Sequence, residues 1–196
     1  MQFHPETCHK TIQSPWGSLW LASNPKGLCG VWFENQKHFP ATQSWIEDKQ
    51  NPILQQAEQI LSSYFQQKWP AHSSAQHVLA KLPLDLSGGT DFQQAVWRAL
   101  MSIPIGHTCS YGELAAAIGR PKAVRAVGTA IGRNPISILI PCHRVLGNHG
   151  QLTGYAGGVW RKQAMLQLEN ANIPSFNNPK GANSLAFIRL IGESIT

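Results

Sequence analysis

Residues 110–146, SYGELAAAIGRPKAVRAVGTAIGRNPISILIPCHRVL, carry the pattern that decides the fold. Ser110 and Glu113 have the spacing of a capping box, which predicts a helix over 111–118. Gly119-Arg120 reads as a tight turn. Pro121 suits the first position of a second helix running to about Ile131, with Val124, Val127 and Ile131 facing inward. Two short helices about a glycine-bearing turn, with basic residues on the second, outline a helix-turn-helix. Asn134-Pro135 ends that helix, residues 137–140 are apolar and expected to be buried, and Cys142-His143 follows.

Working outward, Gly157-Gly158 precedes a last helix expected from 159 to about 170. Thr90 to Gln93 forms another capping box, opening a helix to about Met101, and Ser87-Gly88-Gly89 reads as a linker. Before the linker, residues 16–22 and 28–33 are strand-like runs joined by Ser23-Asn24-Pro25-Lys26-Gly27. Residues 52–67 show helical periodicity, with Ile53, Leu54, Ala57, Ile60, Leu61, Tyr64 and Phe65 on one face; residues 82–86 alternate as a third strand. The expected class is α+β. A small scaffold domain with an antiparallel sheet spans 1–89, and a mostly helical domain with the helix-turn-helix spans 90–170. A tail, 171–196, has a strand-like run near 185–190 and is assigned no role.

Composition narrows the class. Of 196 residues, 42% are apolar and 13% charged, which suits a globular chain and excludes a disordered one. Apolar runs such as 138–141 are too short to span a bilayer, and MQFHPETCHK lacks the apolar segment of a secretory signal. A soluble, cytoplasmic protein is expected, with no membrane partner. Residues 1–89 hold six Lys/Arg and six Asp/Glu, whereas 90–170 hold eight against three. A basic second half suits a polyanion such as nucleic acid, although a solvated basic surface would look the same.

The chemistry centres on Cys142. A thiolate is the reactive form of cysteine, and a neighbouring base or cation makes it available at neutral pH. The apolar run before Cys142 would bury the thiol and oppose ionisation, so activation needs a relay. His143 is adjacent, but direct contact does not follow from adjacency; a turn or a water could join the two. Glu169 on the last helix is a candidate to orient His143 as a carboxylate does in a triad. Alternatively, Cys142 is a small buried hydrophobe and His143 a satisfied core histidine.

The run IPCHRVL resembles the active-site signature of the O6-alkylguanine-DNA alkyltransferase family. The resemblance extends over YGELAAAIGRPKAVRAVGTAIGRNPISILIPCHRV and LTGYAGGVWRKQAMLQLE, and more loosely over SPWGSLWLA and KGLCGVWF. It implies an RNase H-like N-terminal domain and a winged-helix-like helix-turn-helix domain. It implies single-turnover transfer of an alkyl group from guanine O6, or thymine O4, in double-stranded DNA to Cys142, by a monomer without a cofactor or catalytic metal. On the same ground His143 takes the thiol proton through a water, Glu169 orients His143, and Asn134 supports the segment leading to the thiol. Tyr111 donates toward guanine N3, Arg125 fills the gap left by the rotated nucleotide, and Val145 with Tyr155, Ala156, Gly157 and Gly158 forms the base pocket. Ala156 stands where the family commonly has serine, and Ser137 and Thr153 occupy variable pocket-lining places, which leaves the preferred alkyl size open. Some family members hold a structural zinc in the first half. Here His4, Cys8, His9 and Cys29, with His72 and His77, could supply ligands, but without the tight pairs of zinc motifs. Arg120, Lys122, Arg133 and Lys162 read as phosphate-contacting or surface charges. Two rival functions remain: a non-enzymatic lesion-binding protein that recruits repair factors, and a cysteine hydrolase, which would need an oxyanion hole and would turn over repeatedly.

Overall fold

The structure, a computed structural model, describes residues 3–171; the strand expected near 185–190 lies outside them. Four strands, β1 (Cys8–Ser14), β2 (Gly17–Asn24), β3 (Gly27–Phe33) and β4 (Ile46–Glu47), form one sheet in the order β3-β2-β1-β4. β2 pairs antiparallel with both β1 and β3, and β4 lies parallel to β1. The β2–β3 hairpin is the one read from sequence. β1 was not anticipated, because CHKTIQS buries only Ile12 and so has no period-two apolar signal.

Helix α1 (Pro52–Phe65) buries Leu54, Ala57, Leu61 and Tyr64, and the Asn51 side chain accepts from the amides of Ile53 and Leu54. It stops at Phe65, two residues short of expectation, and Gln67 adopts a left-handed φ of 55°. After a short α2 (Ala75–Val78), residues 82–86 make a single bridge to β3 rather than a strand. Pro83 has no N–H to donate; its carbonyl accepts from Leu28, and Asp85 donates back to the Leu28 carbonyl.

The second half holds α3 (Asp91–Met101), α4 (Tyr111–Ala117), α5 (Val124–Gly132) and α6 (Val159–Leu168), with a short parallel pair, β5 (Cys109–Ser110) and β6 (Val145–Leu146). Both capping boxes are present, at Thr90–Gln93 and Ser110–Glu113. Gly119, at φ 69°, closes α4: its N–H reaches the Ala116 carbonyl and the Arg120 N–H reaches Ala115, the paired bonds of a Schellman stop. α5 begins at Val124 rather than Pro121, because Ala123 N–H bonds back to Arg120 and turns residues 120–123. The last helix ends at Leu168, with Glu169 as its cap residue. Trp97 on α3 donates its indole N–H to Ala130 on α5 at 2.9 Å, locking the helix-turn-helix to α3.

The edge of β3 joins the two halves. Val31 N–H bonds the Pro135 carbonyl at 2.9 Å, and Ser137 N–H bonds the Val31 carbonyl at 2.8 Å. The segment leading to Cys142 is therefore an appendage of the first sheet, which satisfies backbone groups that an edge strand would otherwise leave unpaired.

Candidate active site

Two consecutive reversals deliver Cys142. Ile138 has φ 71°, a costly conformation for a β-branched residue, and Leu139 N–H bonds the Ser137 carbonyl across it. Pro141, at φ −81° and ψ 62°, makes an inverse γ-turn closed by Cys142 N–H on the Ile140 carbonyl at 2.8 Å. Proline's fixed φ suits that turn. A single 3-10 turn, Cys142–Arg144, follows, so the neighbours splay apart instead of alternating as in a strand.

The Cys142 sulfur is held by Asn134. Asn134 Nδ2 donates to Cys142 Sγ at 3.1 Å and to the Ile140 carbonyl at 2.8 Å, while its Oδ1 accepts from Ile136 N–H at 3.0 Å. This pattern fixes the carboxamide orientation, since the flipped form would set oxygen against oxygen. Cys142 is 5% exposed. Burial pushes its thiol up; the Asn134 hydrogen bond, the Lys162 cation and the Tyr155 hydroxyl oppose that rise. The Tyr155 hydroxyl lies beside Cys142 and Ser137, buried and without a well-aligned hydrogen bond to either.

His143 is fully buried and donates from Nε2 to Glu169 Oε1 at 2.8 Å. Its other nitrogen, Nδ1, is buried and makes no hydrogen bond within the protein. Burial pushes the imidazole down against the pull of Glu169, which favours the neutral, proton-accepting form. Burial alone would raise Glu169, but His143 and Arg144 together hold it well below the usual carboxylate range. Arg144 is also fully buried and grips Glu169 in a fork, Nε on Oε2 at 2.8 Å and Nη2 on Oε1 at 2.9 Å; its Nη1 donates to the Ile103 carbonyl.

A family model described as "6-O-methylguanine DNA methyltransferase, DNA binding domain" matches residues 91–171. A second, the ribonuclease-like domain of the same proteins, matches residues 8–74. The chain belongs to the 6-O-methylguanine DNA methyltransferase family. A methylated-DNA–protein-cysteine methyltransferase of Mycobacterium bovis is 44% identical over 167 residues, 85% of this chain and 94% of the relative. One from Methanosarcina barkeri is 44% identical over 164 residues, covering 83% and 96%. Among solved structures, the Mycobacterium tuberculosis O6-methylguanine methyltransferase superposes with a TM-score of 0.72 at 44% identity, covering 84% of this chain and 93% of its own. A Mycobacterium tuberculosis structure in complex with DNA gives 0.70 at 44% identity, covering 83% and 92%.

Against this methyltransferase fold, the sequence-derived candidates divide. Cys142, His143, Glu169, Asn134 and Tyr155 converge. Val145 is buried in β6, and the Ala156 carbonyl accepts from Lys37 N–H at 2.9 Å, tying the Tyr155–Gly158 loop to the first half. Gly157 leaves no room for a side chain, because a Cβ there would lie 2.9 Å from the Phe33 ring. Tyr111 opens α4, half-buried against the core, its hydroxyl 3.4 Å from Thr153 Oγ1. Arg125 is exposed on α5. Ser137 does not present a free hydroxyl; it is buried and points at Gln36 Oε1 at 3.4 Å.

One expectation is corrected. Lys162 is no surface charge: it is fully buried, with Nζ on the carbonyls of Val145 at 2.6 Å and Thr153 at 2.9 Å. Burial brings its pKa down to about 8, against the pull of Cys142 and Cys109. The residues offered for zinc do not fit a metal. Cys8 meets Ser23 Oγ at 3.3 Å, His9 stacks on Trp20 at 4.5 Å, and burial pushes Cys29 up to about 12. Among the described residues no three of His, Cys, Asp or Glu are placed to share an ion. Sequence reasoning also missed Arg144, which it quoted only as part of the signature, and Tyr64, which it read as core.

Proposed function

We propose that this protein repairs DNA by moving the alkyl group of O6-alkylguanine, and of O4-alkylthymine, onto Cys142, once per chain. The observation that carries the reading is the thiol of Cys142, buried against Asn134 beside a neutral His143 anchored on Glu169 and Arg144. The alkylated oxygen lies inside a stacked duplex, so a buried thiol meets it only when the nucleotide rotates out. Arg125 on α5 fills the vacated place, and Val145 with the Tyr155–Gly158 loop receives the base.

The Cys142 proton passes through a water to His143 Nδ1, the ring atom the protein leaves unbonded; Glu169 steadies the resulting imidazolium. The thiolate attacks the alkyl carbon, the carbon–oxygen bond breaks, and its electron pair leaves with guanine. Tyr111 donates toward N3 of that leaving base. Lys162 favours the thiolate by its charge, and the Tyr155 phenol, which burial keeps protonated, can donate to it. The product is a thioether, and the step needs no metal or organic cofactor.

The division of labour follows: residues 1–89 act as scaffold, 90–170 bind DNA and react, and the tail 171–196 has no assigned role, with residues 172–196 outside the matched family regions. Among the described residues no helix is long and apolar enough to cross a membrane. We take the protein to act as a cytoplasmic monomer on duplex DNA.

The test is a duplex oligonucleotide bearing O6-methylguanine. Mass spectrometry is expected to find one added methyl, on the Cys142 peptide alone, and reaction is expected to stop at one equivalent. C142A is expected to bind DNA, more weakly as salt rises, without accepting the methyl. Transfer by C142A, or product beyond one equivalent as a cysteine hydrolase would give, refutes the reading. DNA binding without any transfer by the wild-type chain would favour the recruiting role instead.

A further inference from the structure

Glu169 Oε1 accepts three hydrogen bonds. Two come from the 3-10 turn that carries the thiol, from His143 Nε2 and Arg144 Nη2. The third comes from the Tyr64 hydroxyl at 2.8 Å, on α1 in the other half of the molecule. Tyr64 is 3% exposed, so this bond is shielded from water. Burial, with the Glu169 charge adding to it and Arg144 opposing, pushes the phenol well above its ordinary value. Tyr64 therefore stays protonated and can only donate to the carboxylate.

We propose that Tyr64 is a positioning residue for the transfer, reaching from the scaffold half to set how strongly Glu169 draws a proton onto His143. The inference rests on His143 being the base for Cys142. The carboxylate takes four donors unevenly: Tyr64, His143 and Arg144 Nη2 compete for the lone pairs of Oε1, and Arg144 Nε alone meets Oε2. Each donor shares the negative charge, so each weakens the hold on the others. Removing the Tyr64 hydroxyl leaves Oε1 freer to stabilise the imidazolium, and His143 becomes easier to protonate. The charged and titratable groups around it are Glu169 and Lys162 from the α6 region, Arg144 from its own turn, and Tyr64 from α1; Tyr155 lies close to Tyr64. Y64F changes none of these charges.

The experiment compares wild type, Y64F and a chain with 3-fluorotyrosine at position 64, whose more acidic hydroxyl donates more strongly. Two quantities are read: the pH dependence of the single-turnover methyl-transfer rate, and the His143 titration midpoint by nitrogen NMR on the unreacted protein. A protonated His143 cannot accept the thiol proton, so the rate falls on the acid side. In Y64F that acid limb and the NMR midpoint are expected to move up together by about half a pH unit, lowering the rate about threefold at a pH below the limb. Fluorotyrosine is expected to move both down. Unmoved or oppositely moved midpoints overturn the proposal, even if Y64F melts at a lower temperature, because a purely structural role lowers stability without shifting His143. Absence of transfer in the wild-type chain would instead strike the repair reading itself, which separates the two failures.

Discussion

Replacing Lys162 with methionine keeps the length of the side chain and removes its charge from a fully buried place. Two opposing effects on stability follow. Burial lowers the lysine from 10.5 to about 8, which at about 1.4 kcal/mol per pH unit means that holding it charged costs the fold about 3 kcal/mol at neutral pH. Methionine escapes that cost but leaves the carbonyls of Val145 and Thr153 without this donor, at about 1–3 kcal/mol each. At pH 7 the terms nearly cancel, or the variant is slightly the less stable. The pH dependence is sharper. The unfolded chain keeps the Lys162 proton up to 10.5 while the folded chain loses it near 8, so wild-type stability from this group rises with pH between those values. Between pH 7 and pH 9 the gain is about 1 kcal/mol, and K162M lacks it. The variant should thus fall behind wild type by about 1 kcal/mol more at pH 9 than at pH 7, measured by urea unfolding. Activity should run the other way. At pH 7 the charged lysine favours the thiolate, and its loss should slow single-turnover methyl transfer about tenfold. By pH 9 wild-type Lys162 is mostly neutral and the two rates should converge. A stability gap that is flat from pH 7 to 9, with a constant rate ratio, would refute the assignment of Lys162 as a buried, titrating cation beside the thiol.

N134A strips Cys142 Sγ and the Ile140 carbonyl of their donor and Ile136 N–H of its acceptor; it should lose about 2 kcal/mol in chemical unfolding and transfer methyl more slowly at every pH. R144M leaves the Glu169 carboxylate buried with two fewer donors and should lose about 3–5 kcal/mol at pH 7. Because Glu169 has a depressed folded pKa, its contribution is present above the unfolded value of 4.5 and is lost as pH falls through the folded one, so the R144M deficit should narrow in acid unfolding below about pH 4. R125A should slow repair of duplex O6-methylguanine more than alkyl transfer from the free base; equal slowing would remove Arg125 from its place in the vacated stack.

Local rules exposed much of this molecule in the sequence. Capping boxes, the Gly119 stop and the β2–β3 hairpin are set within a few residues, and their signals survive folding. The start of α5 did not, because the Ala123–Arg120 turn took over residues that Pro121 alone would have made helical. β1 was invisible because its pairing with β2, not its own pattern, makes it a strand. The site divided similarly. Cys142, His143 and Glu169 could be offered from the residues themselves, and Asn134 through the family resemblance. Tyr64 was hidden because its ring obeys the core periodicity of α1, and nothing local says where its hydroxyl ends. Lys162 could have been found: it precedes Glu169 by seven residues, two helical turns, with Met165 and Leu166 between them on the same buried side. A lysine sharing a helix face with a catalytic carboxylate candidate is poorly described as a surface charge.

Burying the acceptor couples reactivity to occupancy. An exposed, ionised thiol would react with any electrophile that reached it; at 5% exposure Cys142 keeps its proton, because burial outweighs every group that favours the thiolate. Asn134, Lys162 and Tyr155 lower the cost of the anion, but none of them is a base. In the proposed mechanism the base is His143, whose Nδ1 is buried and has no direct hydrogen bond to the sulfur. Ionisation is therefore most favourable when the proton can move through a bridging water while the alkyl carbon stands against the sulfur to receive its electrons. The same enclosure explains why the event is final. After the proposed transfer the sulfur is a neutral thioether, and the attraction of Lys162 for a thiolate is gone.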